Sequence, residues 1–136
     1  MNTITIGVDL AKSVFSVCAV DGSGQILRRL ELKRAAFAPW LAQLPAGSVV
    51  AMEVCSGAHH WARRCLEYGL QPRIIAAQFV TPFRKGRKTK NDRADAEAIA
   101  TAARQGNMRF VPIKSLDQQA RLSWHRVREG YKAESL

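Results

Sequence analysis

The sequence predicts an α/β fold with a mixed five-stranded sheet, in which three antiparallel strands precede parallel ones and helices flank the sheet. Within the first 32 residues, three apolar stretches are separated by short turns, which is typical of an antiparallel meander. Further along, strand-like stretches at 48–54 and 73–76 enclose a helical pattern. A strand–helix–strand order implies a right-handed crossover and parallel pairing.

The opening strand covers residues 3–10, where apolar side chains alternate with small or polar ones. Asp9 then lies at the carboxyl end of this strand, and we expect Gly7 to leave open space on the same face. The second strand covers 13–20, and after a glycine-containing turn the third covers 25–32.

A short helix follows, with large apolar residues at helical spacing between Phe37 and Leu44. We expect Pro39 in its first turn, where a missing N–H costs little. The next stretch, 48–54, is a nearly continuous apolar run, as in a strand buried on both faces. Glu53 stands near its carboxyl end, where a charge is unfavourable unless another group pairs with it.

The second helix is expected to have Ser56 as its cap and to end at Gly69. A short fifth strand covers 73–76. Residues 78–83 then form a helical turn that Pro82 interrupts.

A basic run that leads into two carboxylates is the most informative part of the chain. Asn91 is a natural N-cap for a helix that ends at Gly106 and carries Asp92 and Asp95. Residues three apart share a helix face, so both carboxylates can bind one Mg²⁺ together with substrate phosphates. The basic side chains that could contact a phosphate backbone are Arg84, Lys85, Arg87, Lys88, Lys90 and Arg93. The alternative is a capped helix, with acidic residues suited to its dipole, behind a solvated basic loop.

The last part of the chain predicts a long basic helix. Ser115-Leu-Asp-Gln118 has the pattern of a capping box, and the helix is expected to run towards Tyr131. We therefore divide the chain into an α/β domain, 1–112, and the start of a helical, coiled-coil-like segment, 113–136. The apolar stripe of this helix predicts self-association as a homo-oligomer.

The charge balance indicates a polyanionic partner. Lys and Arg number 21 against 11 Asp and Glu, which gives a net charge of +10. Nucleic acid is favoured over a membrane because no basic amphipathic anchor is present. No apolar run approaches the roughly 18 residues of a membrane span, and the amino terminus has no signal-peptide pattern.

Cysteine usage predicts a cytoplasmic protein. Cys18, Cys55 and Cys65 are odd in number and contain no Cys-x-x-Cys pair, which fits a reduced compartment. Cys55 with His59 and His60 matches no common zinc spacing, so we do not assign a zinc site.

Four carboxylates are expected to meet at one edge of the sheet. Asp9 and Glu53 end two strands, and a helix packed across that edge could bring Asp92 and Asp95 to them. Four carboxylates repel one another unless cations neutralise them, which predicts two Mg²⁺ ions, with Mn²⁺ as a substitute. Two such ions would support phosphoryl transfer.

The order of elements, with Ile6-Gly7-Val8-Asp9 ending the first strand, resembles the RNase H/RuvC-like fold. The local sequence resembles one family within it, the DEDD-type insertion-sequence transposases. The similar motifs are Gly7-Val-Asp-Leu-Ala-Lys12, Glu53-Val-Cys-Ser-Gly-Ala58, Asn91-Asp-Arg-Ala-Asp-Ala96, Arg109-Phe-Val-Pro-Ile-Lys114 and His125-Arg-Val-Arg-Glu129. The resemblance covers residues 3–129.

This resemblance implies a RuvC-like catalytic domain whose metal-binding, catalytic tetrad is Asp9, Glu53, Asp92 and Asp95. It implies Mg²⁺-dependent cleavage and transfer of DNA strands in transposition, together with a structured RNA encoded by the element. Family members continue into a second domain with a nucleophilic serine, whereas the sequence after Glu129 no longer resembles them. We therefore expect a fragment or truncated copy that is inactive in transposition by itself.

Two other functions stay open. One is a stand-alone RuvC-like nuclease that cuts branched DNA or RNA. The other is a non-catalytic nucleic-acid-binding module that dimerises through the helix at 115–132.

Overall fold

The strands and helices follow one another in the predicted order. A computed structural model describes residues 4–84 and 92–115, with side chains for all of these except 92–94. The strands are β1 (Thr5–Asp9), β2 (Val14–Val20), β3 (Ile26–Lys33), β4 (Val49–Glu53) and β5 (Gln71–Ile75). The helices are α1 (Arg34–Ala42), α2 (Ser56–Glu67), α3 (Ala77–Val80), which continues into a 3₁₀ turn (Thr81–Phe83), and α4 (Asp92–Ala103).

The five strands form one mixed sheet in the order β3-β2-β1-β4-β5. β2 pairs antiparallel with both β1 and β3, whereas β4 pairs parallel with both β1 and β5. The predicted fold class is thereby confirmed. In β4, Val50, Ala51 and Met52 are fully buried, as expected for a central strand covered on both faces.

One face of the sheet packs against α1 and α2 through a cluster of aromatic rings. The ring of Phe15 meets those of Phe37 and Trp61 edge-to-face, at centroid distances of 5.0 and 5.8 Å. The rings of Phe37 and Trp61 are 4.8 Å apart. Such edge-to-face pairs are favourable beyond the area they bury, so this cluster holds both helices on the sheet.

The opposite face of the sheet packs against α4, and this contact corrects the expectation for Gly7. The space beside Gly7 is filled by the backbone of α4. A Cβ atom placed on Gly7 would lie 2.2 Å from the carbonyl oxygen of Ala96 and 2.6 Å from the amide nitrogen of Ala100. The small side chains of Ala96 and Ala100, both buried, permit this approach. The position of α4 over β1 therefore depends on glycine at position 7.

Two predicted helix starts were wrong. Pro39 lies in the second turn of α1, because the helix begins at Arg34, directly after the last residue of β3. This early start places Phe37 and Leu41, four residues apart, on the buried side. Ser56 is the first residue of α2 rather than its cap. The N-cap is Cys55, and no side chain caps this helix.

The predicted helix ends agree better with the structure. Gly69 follows α2 with a φ of +77°, a conformation that favours glycine. α4 ends at Ala103, three residues before Gly106, because its last amides turn back to nearer carbonyls: Arg104 N–H donates to Thr101 at 3.1 Å.

The chain after α4 runs along the outer edge of β5 and then reaches α2. The amide of Val111 donates to the carbonyl of Ile74 at 2.7 Å, and the amide of Lys114 donates to Nδ1 of His59 at 3.1 Å. The helix predicted from Ser115 lies outside the described residues, and the division after residue 112 stays a prediction. Within residues 4–84 and 92–115, no helix is both long and apolar enough to cross a membrane.

We predict that Gly7→Ala destabilises the protein by about 3 kcal/mol, because the added methyl group collides with two backbone atoms that cannot rotate away. Urea unfolding followed by circular dichroism measures the change.

The matched control is Gly57→Ala in the first turn of α2, where a Cβ would meet nothing within 4 Å. It should change stability by less than about 1 kcal/mol, in the favourable direction. Equal unfolding midpoints for the two variants would contradict the close approach of α4.

Candidate functional site

Two carboxylates end adjacent parallel strands at one edge of the sheet. Asp9 is the last residue of β1, and Glu53 is the last residue of β4. The parallel register pairs Val8 with Met52, and one step further along both strands leads to Asp9 and Glu53. Because side chains alternate along a strand, both carboxylates lie on the face that carries Gly7 and α4. This is the edge where open α/β sheets place their functional groups.

A third carboxylate reaches the same place from α4 and is joined to Glu53 by one guanidinium group. Nε of Arg84 donates to Oδ1 of Asp95 at 2.7 Å, and Nη2 donates to Oε2 of Glu53 at 3.0 Å. Nη1 donates to Oγ1 of Thr81 at 3.1 Å. The Arg84 side chain is 20% exposed and that of Asp95 is 13% exposed, so water screens this ion-pair network only in part. The guanidinium of Arg84 therefore forms ion pairs with two residues of the predicted tetrad, Glu53 and Asp95.

The surroundings of Arg84 keep it charged. Partial burial lowers the pKa of the guanidinium, but the hydrogen bond to Asp95 and the ion pairs with Glu53 and Asp95 raise it, and the net effect is a raised pKa. Arg84 is thus a fixed positive charge between two carboxylates. The basic run in the sequence predicts phosphate contact for Arg84 and does not predict this pairing. The available signal was Glu53 itself, a carboxylate at the end of a buried strand that needs a partner.

The remaining predicted site residues are described only in part. α4 begins at Asp92, so its backbone places Asp92 and Asp95 within one turn, but the side chain of Asp92 lies outside the described part. The same holds for the basic residues Lys85, Arg87, Lys88, Lys90 and Arg93. Among the side chains that the structure describes, no three of His, Cys, Asp and Glu come close enough to hold a metal ion together. The described side chains therefore bring Glu53 and Asp95 onto one cation without forming a three-ligand metal site.

A buried hydroxyl group that the sequence analysis did not single out lies beside Asp9. Ser16 is paired directly with Asp9 in the antiparallel ladder of β1 and β2. Opposite residues of such a ladder point to the same face with Cβ atoms about 5 Å apart. Ser16 is only 2% exposed, and its Oγ has no hydrogen-bond partner among the described residues. The signal in the sequence was a serine between Phe15 and Val17, in a strand that is otherwise apolar.

The donors at this edge fit a hydrated divalent cation. Carboxylate oxygens are the ligands that Mg²⁺ prefers, and the space between Glu53 and Asp95 already accommodates a cationic group. The unpartnered hydroxyl of Ser16 could bind a metal-bound water or a substrate oxygen. A cation in that space would have to replace the guanidinium of Arg84.

Comparison with known proteins gives one family. A model of the IS110-type DEDD transposases, described as "Transposase", matches residues 6–135, so the similarity extends past Glu129, where the sequence motifs alone predicted its end. A probable family 20 transposase of Pseudomonas aeruginosa is 51% identical over 128 residues, which cover 94% of this chain and 37% of that protein. The transposase for insertion sequence element IS1111A of Coxiella burnetii is 44% identical over 114 residues, covering 84% of this chain and 30% of that protein. The chain thus spans about a third of the length of these curated relatives.

Two solved structures that resemble this chain are RuvC proteins of Thermus thermophilus. One RuvC structure has a TM-score of 0.56, covering 80% of this chain and 100% of the other. A second RuvC, in complex with a Holliday junction substrate, has a TM-score of 0.53 and covers 80% of this chain and 99% of the other. Both are 13% identical to this chain, so the likeness is one of fold.

We predict that Ser16→Ala stabilises the metal-free protein by about 1 kcal/mol, because a buried donor without a partner is unfavourable and alanine removes it. Urea unfolding in the presence of EDTA measures the change.

Ser48→Ala is the matched control, since Ser48 is also buried, at 3% exposure, but its Oγ donates to the carbonyl of Pro45 at 2.7 Å. This variant should lose about 1 kcal/mol. If both variants lose stability alike, the Ser16 hydroxyl has a partner in solution and the interpretation is wrong.

Proposed function

Because the chain belongs to the IS110-type DEDD transposase family and has a RuvC-like fold, we propose that it forms the N-terminal catalytic domain of a DNA transposase. Its chemistry is the cleavage and transfer of DNA strands at the carboxyl edge of β1 and β4. The observation that supports this most directly is the single guanidinium of Arg84 shared by Glu53 and Asp95. Two carboxylates held around one cation at this edge suit a metal-dependent phosphoryl-transfer site.

The ligands in this proposal are Asp9, Glu53, Asp92 and Asp95, and the cofactor is Mg²⁺ at two ions per site, with Mn²⁺ as a substitute in vitro. When bound, the ions would activate the attacking oxygen and stabilise the leaving oxygen of the phosphodiester. Asp9 and Glu53 stand on rigid strand ends and orient the ligand oxygens. The hydroxyl of Ser16, opposite Asp9, could donate a hydrogen bond to a water or substrate oxygen bound in the site.

Arg84 has two successive roles in this proposal. Without metal it neutralises Glu53 and Asp95. A divalent cation held by Glu53 and Asp95 would need the space that the guanidinium occupies, so Arg84 would have to move away and could then bind a DNA phosphate. In that second role it acts with the other basic residues of its segment, namely Lys85, Arg87, Lys88, Lys90 and Arg93. The net charge of +10 supports a nucleic-acid partner.

The full function is proposed to need more than this chain. The stretch matched here covers about a third of the curated relatives, so we propose that recombination of element ends also requires the regions of those proteins outside this stretch. The same proposal includes two further partners. One is an RNA encoded by the element, and the other is a second copy of the chain that associates through the helix predicted at 115–132.

A stand-alone nuclease is the second candidate. A specific observation favours it. The structural match covers 99% and 100% of the two RuvC chains, so those chains contain almost nothing beyond the shared fold. Metal-dependent cutting of branched DNA by this chain alone would favour the nuclease. Recombination of element ends by this chain alone would contradict the proposed incompleteness.

We predict that Mn²⁺ broadens the NMR signals of residues near Asp9, Glu53 and the first turn of α4 together, and that Asp95→Asn weakens this binding at least about tenfold. Glu97→Gln is the control, because Glu97 pairs with Arg29 at 2.7 Å and is not proposed as a ligand. If Mn²⁺ broadens the signals near Asp9, Glu53 and the first turn of α4 at different concentrations, the carboxylates do not form one site. A non-catalytic nucleic-acid-binding module would then be the better proposal.

We also predict that Arg84→Gln strengthens Mn²⁺ binding at least about fivefold, because the competing cation is gone. The metal-free variant should lose about 2 kcal/mol of stability at neutral pH, because Glu53 and Asp95 are left facing each other. Isothermal titration and urea unfolding measure the two effects.

The control for this variant is Arg29→Gln, which removes a similar ion pair with Glu97 on the same helix. It should lower stability by about 1 kcal/mol and leave Mn²⁺ affinity unchanged. A weaker Mn²⁺ affinity in Arg84→Gln would mean that Arg84 supports the metal site rather than competing with it.

A further inference from the structure

An open cavity of about 570 Å³ lies at the same edge of the sheet as the carboxylates, on the side of α1 and α2. Its walls come largely from the residues that directly follow the two strand-terminal carboxylates. The lining residues are Leu10, Ala11 and Lys12 after β1, Cys55, Ser56 and Gly57 after β4, and Phe15, Arg34 and Trp61. Nothing in the proposed metal site uses this cavity.

The cavity combines positive charge with an aromatic floor. Among the described residues that line it, the charged ones are Lys12 and Arg34, and none is a carboxylate. Phe15 and Trp61 are almost fully buried and meet edge-to-face at 5.8 Å, so they form a rigid apolar base. A lining that combines cations with aromatic side chains suits a ligand with an anionic part and a flat ring.

The first turn of α2 adds hydrogen-bond donors to the wall. The N-cap residue Cys55 makes no side-chain hydrogen bond to this helix, and the first amides of a helix have no partner within it. Ser56 and Gly57, which carry these first amides, line the cavity, and a Cβ on Gly57 would meet nothing within 4 Å. The donors support the anionic character of the ligand that Lys12 and Arg34 indicate.

We propose that this cavity holds a nucleotide of the DNA strand, next to the phosphodiester that is cut. The inference rests on the proposed function and adds a second contact to it. Lys12 lies three residues after Asp9, and Cys55 lies two residues after Glu53, so at about 3.8 Å between consecutive Cα atoms both lie within about 11 Å of the Cα atoms of Asp9 and Glu53, respectively. Measured along the duplex axis, successive phosphates of one strand are about 3.4 Å apart. A strand with one phosphate at the carboxylates therefore places a nucleotide one to three positions away at the cavity.

Within this proposal Lys12 and Arg34 bind the phosphate, and the base lies towards Phe15 and Trp61. The volume is in the range of sites that bury small ligands, about 300–1,000 Å³. Binding here fixes the direction of the strand across the carboxyl edge, because the cavity lies on one side of the sheet and α4 on the other.

The test is binding of single-stranded oligothymidine to the chain in EDTA, followed by the NMR signal of the Trp61 indole N–H and by affinity. We expect the Trp61 signal to shift on binding. Lys12→Gln and Arg34→Gln should each weaken binding about fivefold, and each should lower the slope of log affinity against log salt by about one. Arg28→Gln on β3, an exposed cation outside the cavity, should change the affinity less than twofold.

EDTA separates this proposal from the metal site, because oligothymidine binding that persists in EDTA cannot depend on a bound metal ion. A shifted Trp61 signal together with no joint Mn²⁺ response would retain the cavity as a nucleotide site and reject the metal site. An unshifted Trp61 signal, or equal effects of Lys12→Gln and Arg28→Gln, would overturn the cavity proposal. Tighter binding of oligouridine than of oligothymidine would overturn its assignment to DNA.

Discussion

The contact between the backbone of β1 and the backbone of α4 determines the geometry of the rest of the site. Gly7 lets the carbonyl of Ala96 and the amide of Ala100 approach the strand more closely than any side chain would allow. Asp9 follows Gly7 by two residues, and Asp95 directly precedes Ala96. The same contact therefore fixes the height of Asp95 above the ends of β1 and β4. A helix held further out would leave Asp95 beyond the reach of a cation bound at Glu53.

Close packing at this edge gathers negative charge, and Arg84 balances it. Its two short contacts, 2.7 Å to Asp95 and 3.0 Å to Glu53, connect the start of α4 with the end of β4. Without such a cation, carboxylates at a partly buried edge would repel one another and lower the stability of the fold. Arg84 also begins the basic segment of the chain. The residue that balances the carboxylates is thus the one nearest to the residues proposed to bind phosphate.

Much of this arrangement could be predicted from the sequence because it depends on local patterns. Alternation placed Asp9 at a strand end, and a continuous apolar run placed Glu53 at another. Features that depend on tertiary packing could not be predicted in this way. The space beside Gly7 is filled by residues some 90 positions later in the chain. The start of α1 depends on the burial of Phe37 in the core rather than on the position of Pro39. The pairing of Arg84 joins residues 31 positions apart, so no short motif contains it.

The position of Arg84 between Glu53 and Asp95 affects the conditions under which a metal ion would bind to these carboxylates. If Arg84 must leave before metal binds, the apparent metal affinity is reduced by the fraction of molecules in which it has left. A DNA phosphate that attracts Arg84 would raise that fraction, and by reciprocity bound metal would raise the affinity for DNA by the same factor. With such coupling, the metal site would be occupied in few molecules that have no DNA bound. A protein that cuts DNA would thereby acquire its reactive state chiefly where a strand is already in place.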